Sequence, residues 1–570
     1  MSPPPNVSFE IQVLTDKHWV VADFASDEAK ARAFADNLLQ KGNHAAVRVV
    51  RDRRGLDGLH TETVIQEKTA APRAGGPDLS LAPVKDAPLC RSLGDFYGIE
   101  ARLTLGRMLR KYLDEVVVSP SELLHSAAEM KRFGDRGTLL FAAIDRISTL
   151  QAATSGEDGK ARRDFLSRMW DEGLARARKV AASKPKTPKT LAEVLKGVEK
   201  GGDEHPYLCL SLMTLRLLET RSWIGKLDTI LGWAAEATEM GPQAGSALAL
   251  MDGIVADILN SAQLIQDLLG YQANLGAALC SLSDLAEGTG QAAKFAPETF
   301  NGLNALFATG VLAEGRRVLL DRVARELGGQ NPLSRNEPKQ ETEVCHKVMH
   351  RLVGHRGVLG EGASAEAMVH RIAHIHAHLG TLGTVQAVEL TLSALSDGVR
   401  RVQFLLALAK APMGQAMGRG LVELLSGRVL GAKTMNEWVP ARLGPPERMA
   451  ALAAANRSLL ASAELDEDTR RQLASHVDET LAVYLVDEGV IEKIDKPDDP
   501  LALRAIRLIK FCGSGVLIEG KSLNLARARV IEHLRQPQFE EKFLASVPKP
   551  SEAEKHLREF HRLLVETGFR

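Results

Sequence analysis

Hydrophobic and polar positions alternate with two different periods along this chain. Near the start, Phe9, Ile11 and Val13 interleave with Glu10 and Gln12, the two-residue period of a half-buried strand. HWVVADF (18–24) is rich in aromatic and β-branched residues and predicts a second strand. DEAKARAFADNLLQ (27–40) switches to the helical period, with Ser26 as N-cap and Gly42 just past the end. AAVRVVRDR (45–53) and HTETVIQEK (60–68) return to the strand pattern, with GLDG between them as a turn. The order is ββαββ. A unit this small is marginal alone and is expected to pack on something else.

Beyond residue 87 the pattern is almost wholly helical. Leu105, Met108, Leu109, Tyr112 and Val116 follow the spacing of one helix face, and Ser119-Pro120 is an N-cap and first-turn pair. Val385, Val388, Leu392, Leu395, Val399, Val402 and Leu406 step alternately by three and four, the a/d seam of a long bundle helix. The alternative use of a 385–406 seam is self-association, although its flanks lack the charge pairing of a dimer code. No fixed-period repeat supports a regular solenoid.

Two stretches break the periodicity. TAAPRAGGPDLSLAPVKDA (69–87) is dominated by Pro, Gly and Ala, and SKPKTPKT (183–190) carries two helix-breaking prolines among solvated lysines. The predicted fold class is therefore mainly α: a multi-helix, bundle-like body with a small N-terminal ββαββ module. The predicted organisation is a module at 1–68, a linker at 69–87, a helical domain at 88–183, a linker at 184–190, a central helical bundle at 191–430 and a C-terminal helical domain at 431–570. Strands are expected only in 7–68.

Composition narrows the function classes. The 570 residues are 45% hydrophobic, enough to bury real cores, and Lys plus Arg balances Asp plus Glu at 72 each. Neutrality argues against whole-molecule attraction to nucleic acid or an anionic surface, and the basic segments RVVRDRR (48–54) and ARARK (175–179) read as solvated faces. The five cysteines are scattered and form no C-x-x-C, which fits a reducing compartment. MSPPPNVSFE lacks the basic start and apolar core of a signal peptide, and the richest apolar run, SALALMDGIVADIL, is interrupted by Asp252 and Asp257. The expected location is the cytoplasm, without membrane contact.

Two motifs carry candidate chemistry. Gly515, Gly520, Lys521 and Ser522 fit G-x-x-x-x-G-K-[ST], in which backbone N–H groups wrap phosphates, Lys reaches the terminal ones and Ser holds magnesium. The match lacks its context. LALRAIRLIKFC (501–512) reads as an amphipathic helix rather than a buried strand, VLIE places large apolar residues where the chain must curl round anions, and the remaining chain reads as helix. The segment is expected to be a helix–loop–helix joint with glycine stops. No nucleotide or other cofactor is predicted.

The second motif is a histidine cluster: seven of the 16 histidines fall between His346 and His378. His370, His374 and His378 recur every four residues on one helix face, with Glu366 one step earlier. Neighbouring i, i+4 pairs can share a metal, whereas the outer pair is separated by a rise of about 12 Å. Ligands from another helix would be needed, and His346, His350 and the E-x-x-H of Glu343 offer some. The favoured reading is a solvated stripe beside an apolar face of Ile372, Ile375 and Leu379. The alternative is a site for zinc or another transition metal at Glu366, His370, His374 and His378.

No nucleophile elbow or cysteine–histidine signature appears. The expected function is a non-enzymatic helical scaffold or regulatory protein that binds other proteins. The alternative is a metal-dependent helical enzyme or metal sensor using the histidine cluster 346–378.

Overall fold

A computed structural model describes residues 7–15, 18–25, 27–40, 46–54, 60–69, 80–136, 138–199, 201–292, 296–335, 338–377, 380, 382–547 and 549–569. The protein is mainly helical with a small N-terminal antiparallel sheet of four strands. It divides into two compact units, one of Met1–Ala273 with Ser281–Leu319, the other of Asn274–Cys280 with Leu320–Arg570. The boundary near residue 320 falls inside the span 191–430 that the sequence assigns to one bundle.

In the first unit, β1 (Val7–Thr15), β2 (His18–Ala25), β3 (Ala46–Arg54) and β4 (His60–Thr69) form an antiparallel sheet in the order β2-β1-β3-β4. The two-residue alternation sends Phe9, Ile11, Val13, Val47 and Val49 to one face, where they bury against Ala31 and Ala35 of the helix Glu28–Gln40. Asp36 on that helix accepts from Gln66 and Lys68 and ties it to β4. The opposite face carries the cross-strand row Phe24–Glu10–Val50–Val64, whose outer members are exposed. Phe34 meets Tyr271 edge-on, joining the module to the helical body. Ser26, Gly42 and the turn at 55–58 lie outside the described residues.

Part of the expected first linker is not loose. Val84 and Ala87 are buried, the Ala82 N–H donates to the Met108 carbonyl at 2.9 Å, and Arg146 donates to the Val84 carbonyl at 2.9 Å. Residues 80–87 thus form an extended strap across the helices; Ala and Val supplied burial that the Pro/Gly pattern concealed. Between the helices Gly159–Ala182 and Leu191–Val198, the second predicted linker is pinned where Trp233 donates to the Lys189 carbonyl. Ser119 caps Pro120–His125 as its sequence predicts, and Glu122 completes a capping box with it.

The second unit corrects two expectations. The 385–406 seam is not one helix: Thr384–Ala394 ends at Leu395, which is extended, and Gly398–Ala409 begins after Asp397, whose carboxylate accepts from the Arg400 N–H at 3.0 Å. A good N-cap followed by Gly interrupts the helix although the apolar repeat continues through it. Six of the seven seam residues are buried within the chain and Val385 is exposed. Strands are not confined to the N-terminus either: Val353–Gly354 pairs with Gly357–Val358, where Gly357 adopts φ 146°. Among the described residues, no single helix is long and apolar enough to cross a membrane.

Candidate functional site

The phosphate-loop match sits on a helix start. Leu501–Cys512 is a helix, so no strand precedes the glycines. Leu517 and Ile518 of the loop interior are buried, anchoring the turn by its apolar side chains. Gly520, at φ 145°, leads into Lys521–Leu534. The first amides of this helix point at Asp478, on the helix Glu467–Asp487: Lys521 N–H lies 2.5 Å and Ser522 N–H 3.0 Å from its carboxylate oxygens. The Lys521 ammonium pairs with Glu479 at 2.5 Å, and Ser522 Oγ donates to the Ile518 carbonyl. The amides and side chains of both Lys521 and Ser522 thus have partners from within the chain. An internal carboxylate takes the place that an anion takes at a helix N-terminus.

The histidine stripe sits on Glu361–Ile375. His370 and His374 are exposed, Glu366 accepts from the Met413 N–H at 3.3 Å, and His370 Nε2 lies 3.6 Å from Glu366. His378 lies outside the described residues. Ile372 is buried beneath the stripe and Ile375 is half-buried. Glu343 pairs with Lys347, and His350 accepts from Arg400; burial, then the Arg400 charge, holds His350 below its ordinary value. Among the described residues, no group of three or more His, Cys, Asp or Glu side chains is placed to hold a metal.

Between the histidines stands a residue the sequence reading passed over. Arg371 is fully buried and donates to the carbonyls of Leu327, Asn331 and Glu326 at 2.7, 3.0 and 3.1 Å. Its companion Glu341, 3.5 Å away, accepts from the Leu333 and Ser334 N–H groups. The pair fastens both sides of the turn after Ala313–Leu327: cation on the last carbonyls, carboxylate on the following amides.

The same device recurs in the first unit. Asp252 and Asp257, which interrupt the apolar run, lie on Gly245–Leu259. Asp252 accepts from the Glu314 and Gly315 N–H groups at 2.8 and 2.9 Å, at the start of Ala313–Leu327. Asp257 accepts from the Ser121 N–H at 3.0 Å and hydroxyl at 2.6 Å, at the start of Pro120–His125, with Arg102 3.4 Å away. Beside it, the wholly buried Lys226 pairs with the wholly buried Glu122. Burial pushes Glu122 up and Lys226 down, each against the pull of the other.

His125 completes this cluster. Its Nδ1 lies 2.7 Å from the Ser121 carbonyl, and its ring stacks between Tyr97 and Tyr207 at centroid distances of 5.1 and 4.9 Å. The Arg176 guanidinium covers the Tyr207 ring at 3.8 Å and pairs with Glu204. Among the described residues, His125 Nε2 has no hydrogen-bond partner. Burial, reinforced by the Arg102 and Arg176 charges, pushes His125 down to about 3, against the Ser121 hydrogen bond. The imidazole is neutral at physiological pH, and the nearby Ser121 hydroxyl is turned to Asp257 rather than to it.

Late in the second unit, buried Asp495 accepts from Arg504 at 2.7 Å, Arg529 at 2.5 Å and His533 at 2.8 Å. Burial pushes this carboxyl up, but the three hydrogen bonds outweigh it and hold the group below its ordinary range. Burial also raises the thiols, Cys209 to about 11 and Cys345 to about 12, which leaves them protonated and weakly nucleophilic.

The chain matches no known protein family, no curated protein and no solved structure.

Proposed function

We propose that this protein is a non-enzymatic helical scaffold or regulatory protein of the cytoplasm, which binds other proteins. The observation that carries the reading is the use of its buried and half-buried charges. Asp252, Asp257, Glu341, Arg371 and Asp478 each hold the end of another segment. In some proteins buried ionic groups contribute conformational specificity, a use that would suit a chain whose work is to hold a shape.

The module at 1–68 would serve as an adaptor. Its helix covers one sheet face and leaves Phe24 and Val64 exposed on the other, an arrangement suited to receiving a partner's apolar side chains.

The test is the size of the native particle. Extract from the source cells, fractionated by size exclusion with the chain detected by antibody, should show it in a complex larger than the chain alone. Phe24→Ser with Val64→Ser should move it to the monomer position while its circular dichroism stays unchanged. Elution of the wild type as a free monomer at native concentration would overturn the reading.

A further inference from the structure

The first unit contains a hollow that the scaffold reading leaves unused. Seven elements enclose it: Leu93–Tyr97, Ile99–Met108, Pro120–His125, Ala127–Gly134, Leu139–Ser155, Gly159–Ala182 and the extended strap through Ala87, Pro88 and Cys90. Its volume is about 70 Å³ and it is partly open to solvent. Ala87, Ala101 and Ala143, from three different elements, leave the space; Phe96, Phe133 and Trp170 supply aromatic walls.

The polar atoms at the wall are already engaged. Gln151 donates to the Pro88 carbonyl and accepts from Arg162 Nε at 2.8 Å and Nη2 at 2.6 Å. Arg162, buried, donates to the Cys90 carbonyl as well. The Thr104 hydroxyl accepts from Arg107 at 3.0 Å. Burial raises the Cys90 thiol and keeps it protonated. This latch fixes the strap over the hollow and occupies the amide, guanidinium and carbonyl groups at its wall.

These features decide what can occupy it. A buried water needs about two to four polar partners, whereas a hollow lined by hydrocarbon stays dry and takes up apolar guests. The space exceeds the roughly 10–15 Å³ that one water requires and is about half of a cavity known to admit benzene. A slender chain fits better than a ring, and the partly open side lets it continue outward.

We infer that this hollow is a binding site for the end of an unbranched aliphatic chain, with the tail among Ala101, Ala143 and Phe133 and the polar head outside the strap. The ligand class is a short- or medium-chain alkyl compound, and its binding would couple the strap to the helical body. Because the chain crosses the mouth, recognition rests on the tail, and the head sets only modest differences.

Thermal unfolding and heteronuclear NMR of the full chain should be followed with hexanol, hexanoate, hexylamine and benzene at millimolar concentration. The three alkyl probes should raise the unfolding temperature and shift resonances of Ala101 and Ala143; benzene should act more weakly. Comparable action by all three heads assigns recognition to the tail, whereas action by hexanoate alone would overturn that assignment. Ala143→Leu fills the space and should weaken hexanol binding at least about tenfold, or about 1.4 kcal/mol. Ala101→Val serves the same end if the first variant fails to fold. Xenon, which needs no variant, should shift the same resonances in the wild type. No response to any alkyl probe or to xenon, or binding unchanged in a folded filled variant, would sink the inference.

Discussion

Removing the Asp478 carboxylate should release the start of the helix Lys521–Leu534. Asp478→Ala strips the acceptor from two N–H groups, and Ser522 is fully buried, so water cannot replace it there. A hydrogen bond to a charged group contributes about 1.5–3 kcal/mol, and a buried donor left unpaired costs about 1–3 kcal/mol. The Lys521 side chain is exposed and its amide can turn to water at the first turn. The expected loss is therefore about 3 kcal/mol, nearer one strong bond and its orphan than two. Two-unit unfolding need not be two-state, so the readout is hydrogen exchange of amides 521–534, which should quicken about 100-fold for openings of this size. Asp478→Asn keeps one acceptor and should fall between the wild type and Ala. Glu479→Ala, which removes only the exposed partner of the Lys521 ammonium, should leave exchange unchanged.

Gly520 offers an internal control. At φ 145°, with any Cβ directed into the Asp478 carboxylate, Gly520→Ala should destabilise the same helix. Combined with Asp478→Ala it should cost less than the sum, because the clash partner is gone. Additive effects, or exchange in Asp478→Ala within threefold of the wild type, would refute the cap. A further result would overturn the assignment of the motif itself: protection of 521–534 by ATP and magnesium that disappears in Lys521→Ala, since a ligand bound only to the native state must stabilise it.

Three more outcomes are expected. His370→Gln with His374→Gln should change stability by no more than about 0.5 kcal/mol, as surface changes do; calorimetric titration at low micromolar zinc should show no stoichiometric binding in either form, and tight binding lost in the double variant would instead establish the metal site. Arg371→Met should destabilise the second unit by about 3–5 kcal/mol, because Glu341 and three carbonyls lose their buried partner, and Arg371→Lys should recover little in urea unfolding since one ammonium cannot reach the same fork of acceptors. His125, held down at about 3 from an ordinary 6.5, is neutral in the fold while the unfolded chain takes the proton below that value; stability should be intact above pH 6.5 and fall as pH drops toward 3, by about 2 kcal/mol at pH 5, and His125→Phe should remove that part of the acid sensitivity in unfolding measured against pH.

The parts of this architecture that were legible in the sequence are those written in local periodicity. Alternation of Phe9, Ile11 and Val13 fixed the faces of β1, and Ser119-Pro120 marked a helix start. Leu503, Ile506 and Leu508 among basic residues identified a helix where a phosphate loop needs a strand. The misread seam had its warning too: Ser396-Asp397-Gly398 is a capping sequence, but an unbroken apolar repeat outweighed it. The repeat continues because each helix buries its own apolar residues, and burial does not require the backbone between them to stay helical.

What local pattern cannot disclose is the partner of a buried charge. Asp252 and Asp257 were visible as blemishes in an apolar run, and Arg371 as one basic residue among histidines. Their meaning depends on amides and carbonyls contributed by segments far away in the chain. Helix ends leave four unsatisfied groups each, and a chain with this many buried helices must satisfy many of them away from water. A charged residue inside an otherwise apolar helix face is therefore a signal of a second helix ending against it. His125 shows the limit of that rule: nothing in its neighbourhood marks it as buried, and only the packing of Tyr97 and Tyr207 around it forbids its protonation.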